Sequence, residues 1–193
     1  MIKKRILLAS TSPRRKEIMS RLGIDFEIVD SGYEEDMSLK MLPVTLAKYL
    51  SMGKAKAVDT NGDDCIVVAA DTFVTLENKV MGKPHSKEEA IKMLRSLSDK
   101  TVKIITGLAV IDTCSKKFFS EIGIGTVKIK KLSKSEIINY VESGEPMDKA
   151  GAFAVQGLGG VLIEKVSGDF NSIMGLPLFK VAKILTQLGV KIL

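Results

Sequence analysis

Cys65-Ile66-Val67-Val68-Ala69-Ala70 is an unbroken apolar run, and it ends at Asp71-Thr72. Six apolar residues without polar alternation predict a strand buried on both faces. Toward the N-terminus, residues 45–58 read as a helix, 26–30 as a strand and 6–9 as a short buried strand. Ser12-Pro13 opens a helix to about Leu22, with serine as N-cap, proline at the first helical position and Gly23 as the stop. Toward the C-terminus, residues 73–76 and 80–81 flank Glu77-Asn78-Lys79 as a hairpin. Ser86-Lys87-Glu88-Glu89 and Ser133-Lys134-Ser135-Glu136 are capping-box sequences, each opening a helix. Residues 102–111 and 118–129 read as long strands between them. Strands at 152–155 and 161–166 flank a glycine-rich turn at 157–160, and Pro177 starts a last helix that Gly189 stops. Helices alternating with strands and long hairpins predict an α/β fold with a mixed central sheet. With no repeat, low-complexity tract or linker, residues 1–193 read as a single domain.

Hydrophobic residues are 45% and charged residues 27%, a balance suited to a folded soluble protein. No apolar run approaches the roughly 20 residues that span a bilayer. The start, Met1-Ile2-Lys3-Lys4-Arg5, reads as the flank of a first strand and not as a signal peptide, which predicts a cytoplasmic protein. Cys65 and Cys114 both fall in strand-like apolar surroundings, suggesting neither a disulfide framework nor a thiolate metal site. His85 is the only histidine and reads as a loop residue, which speaks against Ser-His-Asp and Cys-His catalysis and removes any polyhistidine metal site. Hydrolytic chemistry would therefore rely on carboxylates, cations and a hard metal held by oxygen. The net charge of +6 favours a polyanionic partner. Aromatic residues at 5%, with no Trp, speak against stacking platforms for nucleic acid.

Ser10-Thr11-Ser12-Pro13-Arg14-Arg15-Lys16 places three cations at the positive end of a helix. Each conflicts with the helix dipole by about 0.3–1 kcal/mol, a conflict that a bound phosphate would resolve and a solvated basic helix end would tolerate. Asp71, following a buried strand, either faces a crevice where it holds a metal or accepts a proton, or caps a turn. Glu34, Glu35 and Asp36 form a solvated acidic loop or supply further metal ligands. Lys54 and Lys56 lie two apart on a helix, so at most one points into a site. Lys83, between Gly82 and Pro84, is a phosphate clamp or an exposed loop lysine. Neither a Walker A pattern nor a strand-linked Gly-x-Gly-x-x-Gly is present.

Together these residues resemble the Maf family, the septum-formation-related nucleotide pyrophosphatases. The resemblance runs from Ala9-Ser10-Thr11-Ser12-Pro13-Arg14-Arg15 through Glu35, Lys54-Ala55, Ala70-Asp71-Thr72 and Gly82-Lys83-Pro84. It continues through Ser143-Gly144-Glu145-Pro146, Asp148-Lys149-Ala150-Gly151, Gln156-Gly157 and Gly175-Leu176-Pro177. It implies a fold like that of inosine triphosphate pyrophosphatases, with two lobes flanking a nucleotide cleft, a divalent metal and a homodimer. It also implies that Arg14, Thr72 and Gln156 surround the base, in the combination of the dTTP/UTP type. The 7-methyl-GTP type carries Trp, Gln and Glu there. Gly53 departs from the longer residues usual before Lys54, which loosens that helix.

The expected reaction is water attack on the α-phosphorus of dTTP or UTP, giving monophosphate and pyrophosphate. Asp71 is the expected general base and shares Mg²⁺ (or Mn²⁺ or Co²⁺) with Glu35; Arg15, Lys54 and Lys83 neutralise the triphosphate. Ser10 and Ser12 hold phosphate oxygens, and Gln156 offers a donor and an acceptor to a pyrimidine edge. Two rivals are the same chemistry on 7-methyl-GTP and a nucleotide- or nucleic-acid-binding regulator of cell division.

Overall fold

The computed structural model describes residues 4–36 and 39–193, so Met1-Ile2-Lys3 at the start of the lysine-flanked segment lie outside the described residues. The chain forms β1 (Arg5–Ala9), α1 (Pro13–Ser20), β2 (Glu27–Val29), α2 (Pro43–Ala57), β3 (Cys65–Leu76) and β4 (Lys79–Met81). Then follow α3 (Lys87–Leu97), β5 (Thr101–Asp112), β6 (Lys117–Ile129), α4 (Lys134–Glu142), β7 (Ile163–Gly168), α5 (Phe170–Met174) and α6 (Leu178–Gln187). One sheet has the order β2-β1-β3-β5-β6-β7, with β4 on the far end of β3. β1 is parallel to both β2 and β3, and the other pairs are antiparallel, so the sheet is mixed.

The central strand explains this layering. Ile66, Val68 and Ala70 share a core with Ile18 and Met19 of α1 and Val181, Ile184 and Leu185 of α6. Their alternates Cys65, Val67 and Ala69 pack with Ala55 of α2 on the other face. Farther along, Phe73 meets Leu46 and Leu50 of α2. A second core gathers Val74, Leu94 and Leu97 of α3, Ile137 and Val141 of α4, and Val127 of β6. β3, β5 and β6 thus pass through two lobes, one around α1 and α6 and one around α3 and α4.

β3 does not end at Asp71. Antiparallel pairing with β5, from Ile66 opposite Asp112 to Thr75 opposite Lys103, carries it to Leu76. The hairpin turn then needs only two residues, Glu77 and Asn78, both at positive φ, and Lys79 already belongs to β4. The strand expected at 152–155 is absent. Gly151 (φ 70) and Ala152 (φ 59) are left-handed, which breaks an extended backbone, and Ala150–Ala152 forms a 3₁₀ turn. Leu158–Leu162 is a second such turn, so β7 begins only at Ile163. Glu136 completes its capping box, whereas Glu89 bonds the amide of His85, leaving Ser86 to cap α3 alone. Cys65 is buried as expected, but Cys114 is exposed in the β5–β6 turn.

Gly107 sits opposite Asp71 in the β3–β5 ladder, under α2. A methyl group there would come within 2.0 Å of the Ala47 carbonyl oxygen, so the missing side chain lets α2 lie directly on the sheet. Gly107→Ala is expected to destabilise the protein by about 3 kcal/mol, the upper range for overpacking, because rigid helix backbone must move. Urea unfolding of the variant measures this; an unchanged midpoint would refute close α2 packing.

Candidate active site

β1 follows β3 only as far as Leu8 opposite Val68, and β4 joins β3 only at Val74 opposite Met81. Residues 69–73 of β3 remain paired to β5 on one edge and have neither β1 nor β4 on the other. A cavity of about 650 Å³ opens at this bare edge, a volume suited to a small-molecule ligand. Asp71 and Thr72 point to opposite sheet faces, yet both line the cavity because it reaches around the edge.

On the α2 face, Lys54 Nζ lies 2.5 Å from Asp71 Oδ1 and also pairs with Glu35 Oε1. Lys54 is 8% and Asp71 3% exposed, so their charges are withdrawn from water and must satisfy one another. Lys56, two positions on, is exposed, as helical spacing requires. Gly53 has a packing reason: a Cβ there would come within 2.4 Å of the Tyr33 ring. The glycine expected only to loosen α2 seats the aromatic residue at the start of the acidic loop, two positions before Glu35.

On the other face, α1 turns its N-terminus into the cavity. N-cap Ser12 makes no side-chain cap bond, so the first-turn amides and the Ser12 hydroxyl are uncommitted to each other. Ser10 is nearly buried, and its Oγ accepts from the Ser12 amide (3.2 Å) and from Arg15 Nη1 (3.2 Å). Arg15 Nε donates to the Gly175 carbonyl at 2.9 Å, and Nη2 approaches Thr72 Oγ1 at 3.4 Å. Burial holds the Arg15 guanidinium below its ordinary value, against the pull of Asp71 and Glu35. It remains a cation throughout the neutral range.

Arg14 and Lys83 also line the cavity, Lys83 from an exposed position. Gln156 does not: it is exposed, and its neighbour Val155 is the residue that lines. Sequence reasoning missed Tyr33, Lys149 and Phe153 in the lining. Lys149 stood in a quoted motif, and its ion pair with Asp148 within the cavity wall is what spacing does not reveal. Glu145, in the Ser143–Pro146 motif, has a holding role. It accepts from Tyr140 Oη (2.8 Å) and from the amides of Leu158 (3.0 Å) and Gly159 (2.7 Å). Burial raises its carboxyl, but the Tyr140 hydroxyl and these amides outweigh it and leave the group below its ordinary value.

Among the described residues no group of three or more His, Cys, Asp or Glu converges on one point. Asp71 and Glu35 do converge, on the ammonium of Lys54, and so already surround a cation. Two carboxylates lining a cavity with room for a phosphate-bearing ligand fit Mg²⁺, which typically takes one or two carboxylates and completes its shell with water and substrate phosphates. Among the described residues, no helix is long and apolar enough to cross a membrane.

Residues 5–188 match the family described as Maf-like protein. The chain is 45% identical over 190 residues to a dTTP/UTP pyrophosphatase of Methanococcoides burtonii, covering 98% of this chain and 97% of that protein. It is 46% identical to one of Methanosarcina barkeri (98% and 96% covered) and 45% identical to one of Aquifex aeolicus (96% and 96%). The Ham1 protein of Staphylococcus aureus gives a TM-score of 0.45 at 15% identity, over 65% of this chain and 72% of that one.

Removing Lys54 alone would strand the buried Asp71 carboxylate. Lys54→Met is expected to cost about 3 kcal/mol, the lower end for breaking a buried pair, because Glu35 stays partly solvated. Adding Asp71→Asn to that variant should recover most of the loss. Denaturant titration of the two variants checks this, and a double variant no more stable than Lys54→Met would contradict the pairing.

Proposed function

This chain belongs to the Maf family, and from that membership we propose that it hydrolyses dTTP and UTP to the monophosphate and pyrophosphate. The observation that carries the reading is the opposition across one bare strand edge. A carboxylate pair held by Lys54 lies on one side, and a helix N-terminus with Ser10, Ser12 and Arg15 lies on the other. A triphosphate lying along that edge would meet donors on the α1 side, and its α-phosphorus would meet a base on the Asp71 side.

The Ser10 and Ser12 hydroxyls and the α1 amides would bind phosphate oxygens, as helix N-termini do. Arg15, fixed by the Gly175 carbonyl, would present its fork to the charge that develops on leaving pyrophosphate. Lys83 and Arg14 would neutralise the remaining phosphates from the rim. Lys54 engages Asp71 Oδ1, so Oδ2 is the oxygen that would take the proton from an attacking water. Asp71 and Glu35 would hold a divalent cation such as Mg²⁺, which when bound neutralises phosphate oxygens and makes water more acidic. Gln156, exposed beside Val155, would reach the base only from the cavity rim.

Incubation of dTTP or UTP with protein and Mg²⁺ in ¹⁸O-water should yield labelled monophosphate and unlabelled pyrophosphate, with slower turnover of purine triphosphates. Asp71→Asn should lower kcat by about 10²–10⁴-fold while nucleotide affinity survives. Chromatography showing diphosphate and orthophosphate would overturn the cleavage position. A folded Asp71→Asn protein with near wild-type kcat would remove Asp71 from the mechanism.

A further inference from the structure

β6 has a bare edge of its own, remote from the cavity. β5 holds one side of the strand from Lys117 to Lys128, but β7 pairs with the other side only from Gly125 to Ile129. Among the described residues, no other strand joins residues 117–124 there. At the limit of the bare stretch the Ile124 carbonyl accepts from the Asp169 amide at 3.2 Å, so the backbone groups of Ile124 face the edge. These groups alternate sides along a strand, so Phe118, Ser120 and Ile122 also turn amide and carbonyl outward. Such an edge is a template for another strand, and proteins blunt it with proline, a bulge or a cover. Residues 117–124 contain no proline, and the irregularity in β6–β7 pairing lies beyond them, at Lys128/Ile129. Apolar side chains flank the edge on both faces. Phe118 is 67% exposed on one face; on the other, Phe179 of α6 is 77% exposed and lines a cavity of about 170 Å³ with Phe119 and Glu121.

We propose that this edge binds a second copy of the chain, the two β6 strands pairing antiparallel about a twofold axis at Phe119 and joining two sheets into one. Charge selects both the occupant and the register. Lys117 is exposed and, among the described residues, has no ion-pair partner. Glu121 receives Lys180 on Oε2 at 3.0 Å, which leaves Oε1 for a second cation. A twofold at Phe119 sets Lys117 opposite the partner's Glu121 and Glu121 opposite the partner's Lys117, so the strand complements itself twice. Phe118 then exchanges backbone bonds with the partner's Ser120, since both turn those groups outward. Phe119 turns its own toward Val110 of β5 and so takes the close, non-hydrogen-bonded position opposite the partner's Phe119, where aromatic pairs are favourable. A twofold at Glu121 would instead oppose two carboxylates, and one at Ser120 would leave Lys117 opposite the glycine at position 123.

Sedimentation equilibrium over a wide concentration range tests this on the wild type, K117E, E121K and S120P, with circular dichroism confirming that each is folded. The wild type should form a dimer. K117E and E121K should each raise the dimer dissociation constant by about tenfold or more, because each sets like charges opposite one another twice. An equimolar mixture of K117E and E121K should dimerise again, within about threefold of the wild type, because the two altered edges restore both opposite-charge pairs. S120P removes an outward amide that β5 does not use, and should be monomeric. A wild type that stays monomeric throughout overturns the inference, as does a K117E that dimerises as tightly as the wild type. A mixture no more associated than the single variants overturns it too. If S120P does not fold, the charge variants decide, because positions 117 and 121 are exposed and line no part of the catalytic cavity.

Discussion

The β3–β5 ladder bears most of the architecture, since it keeps β3 extended after β1 has left its other edge. A strand paired on both sides has no backbone edge to offer a ligand, and one paired on neither side would not hold a straight course in water. β3 lies between these cases for residues 69–73, supported by β5 and bare opposite. The cavity is the space between the end of β1 and the start of β4. Residues from α1, α2 and the α5–α6 junction reach it because each element packs on one face of that strand.

Alternation along β3 divides the chemistry. Asp71 falls on the α2 side and meets Lys54 and Glu35, while Thr72 falls on the α1 side and meets Arg15, Thr106 and Gly175. Adjacent residues thus anchor two unlike networks, one ionic and one of neutral hydroxyls that orients a guanidinium. Both depend on close approach. Gly107 lets α2 lie on the sheet so that Lys54 reaches Asp71, and Gly53 lets Tyr33 settle on α2 near Glu35. Burying the Lys54–Asp71 pair costs desolvation that its attraction only partly offsets, so stability alone is a weak reason for its presence.

The second lobe contributes rigidity to the cavity's far wall. Tyr140 Oη donates to Glu145 and accepts from the Ala154 amide, while Glu145 gathers the amides of Leu158 and Gly159. Burial and the Glu145 contact push the Tyr140 hydroxyl well above its ordinary value, so it stays protonated as a donor. Gly157, at φ 88, brings its backbone against Glu145, where a Cβ would come within 2.1 Å of Oε1. These contacts fix the chain between Phe153 and Gly160 without any strand, and they set Val155 toward the cavity and Gln156 toward solvent.

Local patterns in the sequence determined the elements with strong periodicity or explicit caps. The buried run from Cys65, the proline-started α1, the capping box at Ser133 and the mixed character of the sheet all follow from side-chain chemistry within a few residues. The motifs also marked Ser10, Arg15, Lys54, Asp71 and Lys83 as residues to bring together, and these line one cavity. Only the tertiary structure decided where β3 stops, because its length past Asp71 comes from pairing with β5, from Thr72 opposite Thr106 to Thr75 opposite Lys103. It also decided that residues 150–162 turn instead of extending, through left-handed backbone at Gly151 and Ala152 and the amides that Glu145 collects. The contact between the Thr72 and Thr106 hydroxyls is of the same kind. It depends on Thr106 and Ser172, distant in sequence, and a hydroxyl's direction is set by whichever acceptor the fold brings within reach.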